Sequence, residues 1–65
     1  MEMGTEESTE YLIGTGRPVR VLWQVALGAT SSANVKVAVV DAWSTDGDPL
    51  STEELELARR RGFMS

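Results

Sequence analysis

The sequence contains no cysteine and no histidine among its 65 residues. Without cysteine there can be no disulfide framework and no thiol chemistry, and without either residue the usual zinc ligand sets are missing. Histidine is also the most common general base, so a serine nucleophile would lack its activating partner. We therefore expect a non-catalytic protein that carries no cofactor and no metal.

Long apolar runs are missing as well. No segment approaches the roughly 20 consecutive apolar residues of a membrane-spanning helix, and the opening segment is acidic where a signal peptide would be basic and then apolar. These features predict a cytoplasmic protein that does not associate with membranes. Six basic and ten acidic residues give a net charge of −4, which argues against general nucleic-acid binding.

The chain is short, with a mass of 7.1 kDa, and it can hold only one small apolar core. Domains of this size usually gain stability from disulfides, a structural metal or a partner chain. Since the composition provides neither of the first two, we expect self-association, as a homodimer or a higher oligomer.

Apolar alternation is the strongest pattern, and it occurs in two neighbouring segments. Residues 19–27 and 35–40 each alternate with a period of two, as half-buried strands do, and the small polar residues 28–34 between them predict a hairpin loop. Symmetric closure of that loop places Leu27 opposite Val35, Val25 opposite Val37 and Trp23 opposite Val39.

Asp41 interrupts this alternation. Strict alternation would place its carboxylate on the apolar face of the second strand, where an unpaired charge is unfavourable. We therefore expect the strand to end or to bulge at Asp41. Turn-forming residues then follow as far as Pro49.

The C-terminal part carries the signals of a helix with both ends marked. Ser51 and Glu54 have the spacing of a capping box, and the arginines at 59–61 favour the negative end of the helix dipole. We predict a helix from Thr52 to Arg61, with Gly62 in the left-handed position that follows it and Phe63 folding back onto the last turn.

The opening segment, residues 1–10, is rich in glutamate and has no apolar periodicity, so we predict a disordered acidic tail. Residues 11–65 would form a single small domain, with Tyr11–Ile13 as an optional first strand. The predicted class is α+β: an antiparallel β-hairpin or three-stranded meander followed by one C-terminal helix (ββα or βββα), completed by oligomerisation.

A helix of about ten residues covers roughly 15 Å, whereas a nine-residue strand spans roughly 30 Å. Part of the sheet should therefore be covered by another chain, which favours a small protein-interaction module that binds itself, or another protein. The candidate interface residues are Trp23, Trp43, Val21, Val25, Val37, Val39 and Leu57.

The alternative is a nucleic-acid-associated protein in which an oligomer presents one basic surface and the tryptophans stack on bases. The candidate phosphate contacts are Arg17, Arg20, Lys36, Arg59, Arg60 and Arg61.

The acidic segment between the second strand and the helix is the one candidate for cation binding, because carboxylate oxygens are the ligands of calcium and magnesium. Its members are Asp41, Asp46, Asp48, Glu53 and Glu54. Aligning Gly47 with the invariant glycine of an EF-hand loop leaves Ala42 at the first ligand position. We therefore interpret the segment as a turn leading into a helix N-terminus, and we predict no metal site.

Overall fold

A computed structural model describes residues 2–65, which form three strands, one α-helix and a short 3-10 turn. The strands are β1 (Met3–Tyr11), β2 (Pro18–Ala26) and β3 (Val35–Ser44), and the helix is α1 (Thr52–Arg59). The strands pair antiparallel in the order β1-β2-β3. The predicted α+β class is confirmed, in its βββα form.

Strand β1 shows that the prediction of a disordered acidic tail is wrong for residues 3–10. This segment pairs with β2 without interruption, from Met3 opposite Ala26 to Tyr11 opposite Pro18. The sequence did not predict this strand because its residues are mostly polar. An edge strand is held by main-chain hydrogen bonds and needs little apolar alternation. The optional strand Tyr11–Ile13 is therefore only the end of β1 and the turn after it.

The sheet has an inner face, which packs against α1, and an outer face on the opposite side. The inner face carries the alternate β2 residues that are buried: Val19, Val21, Trp23 and Val25. Leu12, Ala42 and Ala58 complete the buried core, and Phe63 packs against it. The alternation over residues 19–27 therefore identified the buried residues of β2, but it also included Leu27, which lies after the strand and is 39% exposed.

Strand β3 contains two register shifts relative to β2. Trp23 lies opposite Val39 as predicted. The predicted pairs Val25–Val37 and Leu27–Val35 are wrong, because Val25 lies opposite Lys36 and Val35 lies opposite Ala26. Leu22 lies opposite Asp41. Val37 and Val40 are thus extra residues of the bulged strand. Each bulge changes which face the following residues occupy, so the bulge at Val40 moves the Asp41 carboxylate to the outer face. The expectation that the strand ends or bulges at Asp41 is met by a bulge.

Helix α1 begins as predicted and ends earlier than predicted. Both hydrogen bonds of the Ser51–Glu54 capping box are formed. At the other end Arg60 is the C-cap and Arg61 has φ 58°. Arg61, and not Gly62, therefore occupies the left-handed position.

Phe63 lies past the helix end, where it packs against the core that includes Ala58 and reaches the sheet. Its ring meets that of Trp23 edge-on at a centroid distance of 5.8 Å. An antiparallel bridge joins it to Leu12.

The molecule is elongated because the sheet extends beyond the helix. Its radius of gyration is 12.4 Å, compared with about 11 Å for a compact chain of this length. Within residues 2–65 no helix is long and apolar enough to cross a membrane.

Candidate interaction surfaces

The outer face of the sheet is not covered by any part of the described chain. It is formed by alternate residues of the three strands, none of which is buried. Its polar members are Thr5, Glu7, Thr9, Arg20, Gln24 and Asp41. Its apolar and aromatic members are Met3, Tyr11, Pro18, Leu22, Ala26, Val35, Ala38 and Trp43.

Trp43 lies on this outer face, opposite Arg20, with 39% of its surface exposed. An uninterrupted alternation along β3 would place Trp43 with Trp23 on the apolar inner face, and the bulge at Val40 moves it to the outer face. The two tryptophans consequently occupy different environments, since Trp23 is only 4% exposed.

The candidate interface residues are divided between the core and the surface. Val21, Trp23 and Val25 are buried within the chain and cannot contact a partner directly. Val39 and Leu57 are half-buried against the core. Trp43 and Val37 are exposed, so a partner can reach only these two without rearrangement of the inner face.

Arg17 joins the turn before α1 to the hairpin between β1 and β2. Its guanidinium donates to both carboxylate oxygens of Glu54, at 2.7 and 2.9 Å, to Asp46 Oδ1 at 3.0 Å and to the carbonyl of Asp48 at 2.6 Å. The hydrogen bonds that Arg17 donates to Glu54 and then to Asp46 raise the pKa of Arg17. This arginine has a structural role that its sequence neighbourhood did not indicate.

The contacts of Arg17 also give two carboxylates of the acidic segment a structural role, because Asp46 and Glu54 accept hydrogen bonds from its guanidinium. The hydrogen bond from Arg17 lowers the pKa of Asp46, and the main-chain N–H of Ser51, followed by Arg17, lowers the pKa of Glu54. Asp41 accepts from the N–H of Ala42 at 2.8 Å. In the described part of the chain, no three acidic side chains are arranged to hold a metal ion.

The remaining basic residues do not assemble into one surface with Arg17. Arg20 lies on the outer face and pairs with Glu7 at 3.1 Å, while Lys36 lies on the inner face, 3.7 Å from Glu10. Arg59 and Arg60 are exposed at the end of the helix. A single chain therefore presents its cations at separate places, several of them already paired with its own carboxylates.

Trp23 organises a group of contacts that sequence reasoning missed. Its indole N–H donates to Ser8 Oγ at 2.8 Å, and Lys36 Nζ and Arg61 Cζ lie 4.7 and 5.3 Å from its ring centroid. Cations at these distances are attracted to the ring face. The Arg61 guanidinium also donates to the carbonyl of Lys36 at 2.7 Å. This group connects all three strands to the end of the helix.

Comparison of the chain with protein-family models, curated proteins and solved structures finds no match. The functional argument therefore rests on the surfaces described above.

Proposed function

We propose that this chain is a small, non-catalytic protein-interaction module that forms a homodimer through the outer face of its sheet. The observation that carries the proposal is the position of Trp43, a partly exposed aromatic residue on a sheet face that the other residues of 2–65 leave uncovered. Aromatic side chains of this kind dominate the binding energy of protein interfaces. Two such faces packed together would give a four-layered dimer with the sheets inside and the helices outside.

The dimensions of the outer face suit a small dimer. Three strands about 4.8 Å apart and about 30 Å long present roughly 430 Å² in projection. A standard interface buries about 800 Å² of accessible surface on each partner, and weak complexes bury less. Side-chain relief makes the accessible area larger than the projected one, so the proposed dimer would use nearly the whole face and associate weakly.

The charges on the outer face allow it to pack against a copy of itself. The row of outer-face residues next to that of Arg20 contains Glu7 and Asp41. Positive and negative charges therefore lie close together on this face. A twofold axis through this region would bring the arginine of each copy near the carboxylates of the other. A face with one sign of charge would instead repel its copy.

Sedimentation equilibrium over a wide concentration range tests the proposal. Wild-type protein is expected to show a mass that rises from monomer toward dimer, with a melting temperature that rises with concentration. Trp43→Lys should keep the chain folded and monomeric. The matched control is Ile13→Lys, which changes a residue that is 56% exposed but lies in the turn after β1.

Two results would contradict the proposal. A wild-type chain that stays a folded monomer at every concentration would rule out self-association, and a Trp43→Lys chain that associates as the wild type does would place the interface elsewhere.

A further inference from the structure

Strand β1 has one edge that faces away from β2. The carbonyl of Glu2 accepts from the N–H of Leu27 at 2.9 Å, and the N–H of Leu12 donates to the carbonyl of Arg17 at 2.9 Å. Even-numbered residues of β1 therefore direct their main-chain groups toward β2, and by alternation the odd-numbered ones direct theirs outward. The outward groups along the uncovered part belong to Met3, Thr5, Glu7 and Thr9.

The far end of the same edge already pairs with an antiparallel segment of the chain. The N–H of Ile13 donates to the carbonyl of Gly62 at 2.8 Å, and the N–H of Met64 donates to the carbonyl of Tyr11 at 2.7 Å. The edge is therefore able to form a sheet ladder. From Met3 to Thr9, no strand among residues 2–65 continues this pairing.

Strand β1 is better suited to strand addition than the other edge strand. Its register with β2 is continuous over all its residues, whereas β3 is bulged at Val37 and Val40. Bulges twist an edge and disturb further pairing, and they are a common protection against it.

The charges along β1 select the kind of strand that can be added. The strand carries Glu6, Glu7 and Glu10 and no basic residue, so a second copy of β1 would be repelled. Glu7 and Glu10 have cationic partners within the chain, but Glu6 is hydrogen-bonded to the neutral amide of Asn34, at 2.9 Å. Among residues 2–65, no cation pairs with Glu6, which lies on the inner face beside the open edge.

We propose that the edge of β1 from Met3 to Thr9 binds an extended basic peptide of another protein as a fourth, antiparallel strand. Main-chain hydrogen bonds would hold the peptide, as in other complexes formed by strand addition. Adjacent side chains of a strand point to opposite faces. Two neighbouring basic residues of the peptide would therefore meet Glu6 on the inner face and Glu7 on the outer face.

The test is a titration of ¹⁵N-labelled protein, followed by NMR, with a synthetic peptide as long as the Met3–Thr9 edge. The peptide contains β-forming residues and a central pair of lysines, and the control peptide has glutamates in place of the lysines. The basic peptide is expected to shift the amide signals of Thr5, Glu7 and Thr9, and its binding should weaken with salt. The acidic peptide should not bind.

Variants distinguish the contribution of the Glu6 charge to peptide binding from that of the main-chain hydrogen bonds at the strand edge. Glu6→Gln is expected to weaken binding roughly two- to fivefold, as the loss of one surface ion pair does. Glu56→Gln, which removes the same charge from an exposed position of α1, should leave binding unchanged. Thr5→Pro should abolish binding, because it removes an N–H that points outward while leaving the ladder with β2 intact.

Several outcomes would overturn the proposal. These are peptide-induced shifts confined to residues outside β1, equal effects of Glu6→Gln and Glu56→Gln, and β1 shifts on concentrating the Trp43→Lys protein alone, which would mean that the edge pairs with a second copy. If Thr5→Pro fails to fold, the comparison of Glu6→Gln with Glu56→Gln still tests whether the peptide binds at β1. Trp43→Lys should retain peptide binding, so failure of the dimer and failure of this site are distinguishable.

Discussion

The end of helix α1 gives the sharpest test of the structure, because Arg61 has a left-handed conformation that the sequence pattern assigned to Gly62. The N–H of Arg61 donates to the carbonyl of Ala58 at 3.0 Å, and that of Gly62 donates to the carbonyl of Leu57 at 2.8 Å. These two bonds form a Schellman motif with residue 61 in the left-handed position. We therefore predict that Arg61→Gly is more stable than Arg61→Ala.

The expected difference in stability between Arg61→Gly and Arg61→Ala can be estimated because the two variants lose the same contacts. Both lose the hydrogen bond from the guanidinium to the Lys36 carbonyl and the contact with the Trp23 ring, so these losses cancel in the comparison. A left-handed residue with a Cβ costs about 1–2 kcal/mol, and the greater freedom of glycine in the unfolded chain offsets about 0.5–1 kcal/mol of that. The expected advantage of Arg61→Gly is about 0.5–1 kcal/mol.

Thermal unfolding followed by circular dichroism can resolve this difference. An unfolding entropy of about 2.1 cal/mol/K per residue gives roughly 0.14 kcal/mol/K for this chain, so Arg61→Gly should melt about 4–7 °C above Arg61→Ala. Both variants must be measured at one protein concentration, since self-association would shift melting.

The opposite sign of the difference would refute the reasoning. If residue 61 were an interior helical position, glycine would be about 1 kcal/mol less stable than alanine, and Arg61→Gly would melt below Arg61→Ala. Gly62→Ala provides a second check, because the added Cβ would lie 2.7 Å from Leu57 Cγ and 3.1 Å from its carbonyl oxygen. It should destabilise by about 1–3 kcal/mol through overpacking.

Three further predictions concern the start of the helix. Ser51→Ala should lower the free energy of unfolding by about 1 kcal/mol and Ser51→Gly by a few tenths, and equal denaturation midpoints for wild type and Ser51→Ala would contradict the capping role. The pKa values of Asp46 and Glu54 are lowered from their ordinary values of 3.8 and 4.5. The two carboxylates therefore stabilise the fold fully above their ordinary pKa values, and this stabilisation is lost as the pH falls through the lowered pKa values. In urea titrations below pH 5, Arg17→Gln should therefore lose less stability with acidification than wild type, and parallel losses would count against the ion pairs. Calcium should leave the melting temperature unchanged, because the Asp46 and Glu54 oxygens already accept from Arg17; a clear rise would restore the acidic turn as a cation site.

Local signals made parts of the fold predictable. The capping box at Ser51 depends on residues three apart, and the structure forms both of its hydrogen bonds. The alternation in β2 depends on burial of one face, and four of the five residues that it selected are buried, with Leu27 as the exception. The predicted pairing of Trp23 with Val39 is also formed.

The candidate surfaces were less predictable because they depend on face and register. Trp43 was singled out by residue type, but its face depended on the bulge at Val40. No periodicity marked β1, because its glutamates, threonines and serine pair through main-chain groups that every residue carries. The edge that we propose binds a basic strand could therefore not be predicted from the sequence, because β1 is defined only by its pairing with β2.

The sequence by itself determined where the chain could be helical, which face of β2 would be buried, and where the loop between β2 and β3 would fall. Each of these follows from interactions between near neighbours or from a simple alternation of apolar residues. The tertiary structure alone decided that residues 3–11 form a strand, that β3 bulges twice, and that Arg61 takes the left-handed position. These features depend on contacts between distant segments, such as the bond from Arg61 to the Lys36 carbonyl, whose free energy outweighs the local preferences of the residues involved.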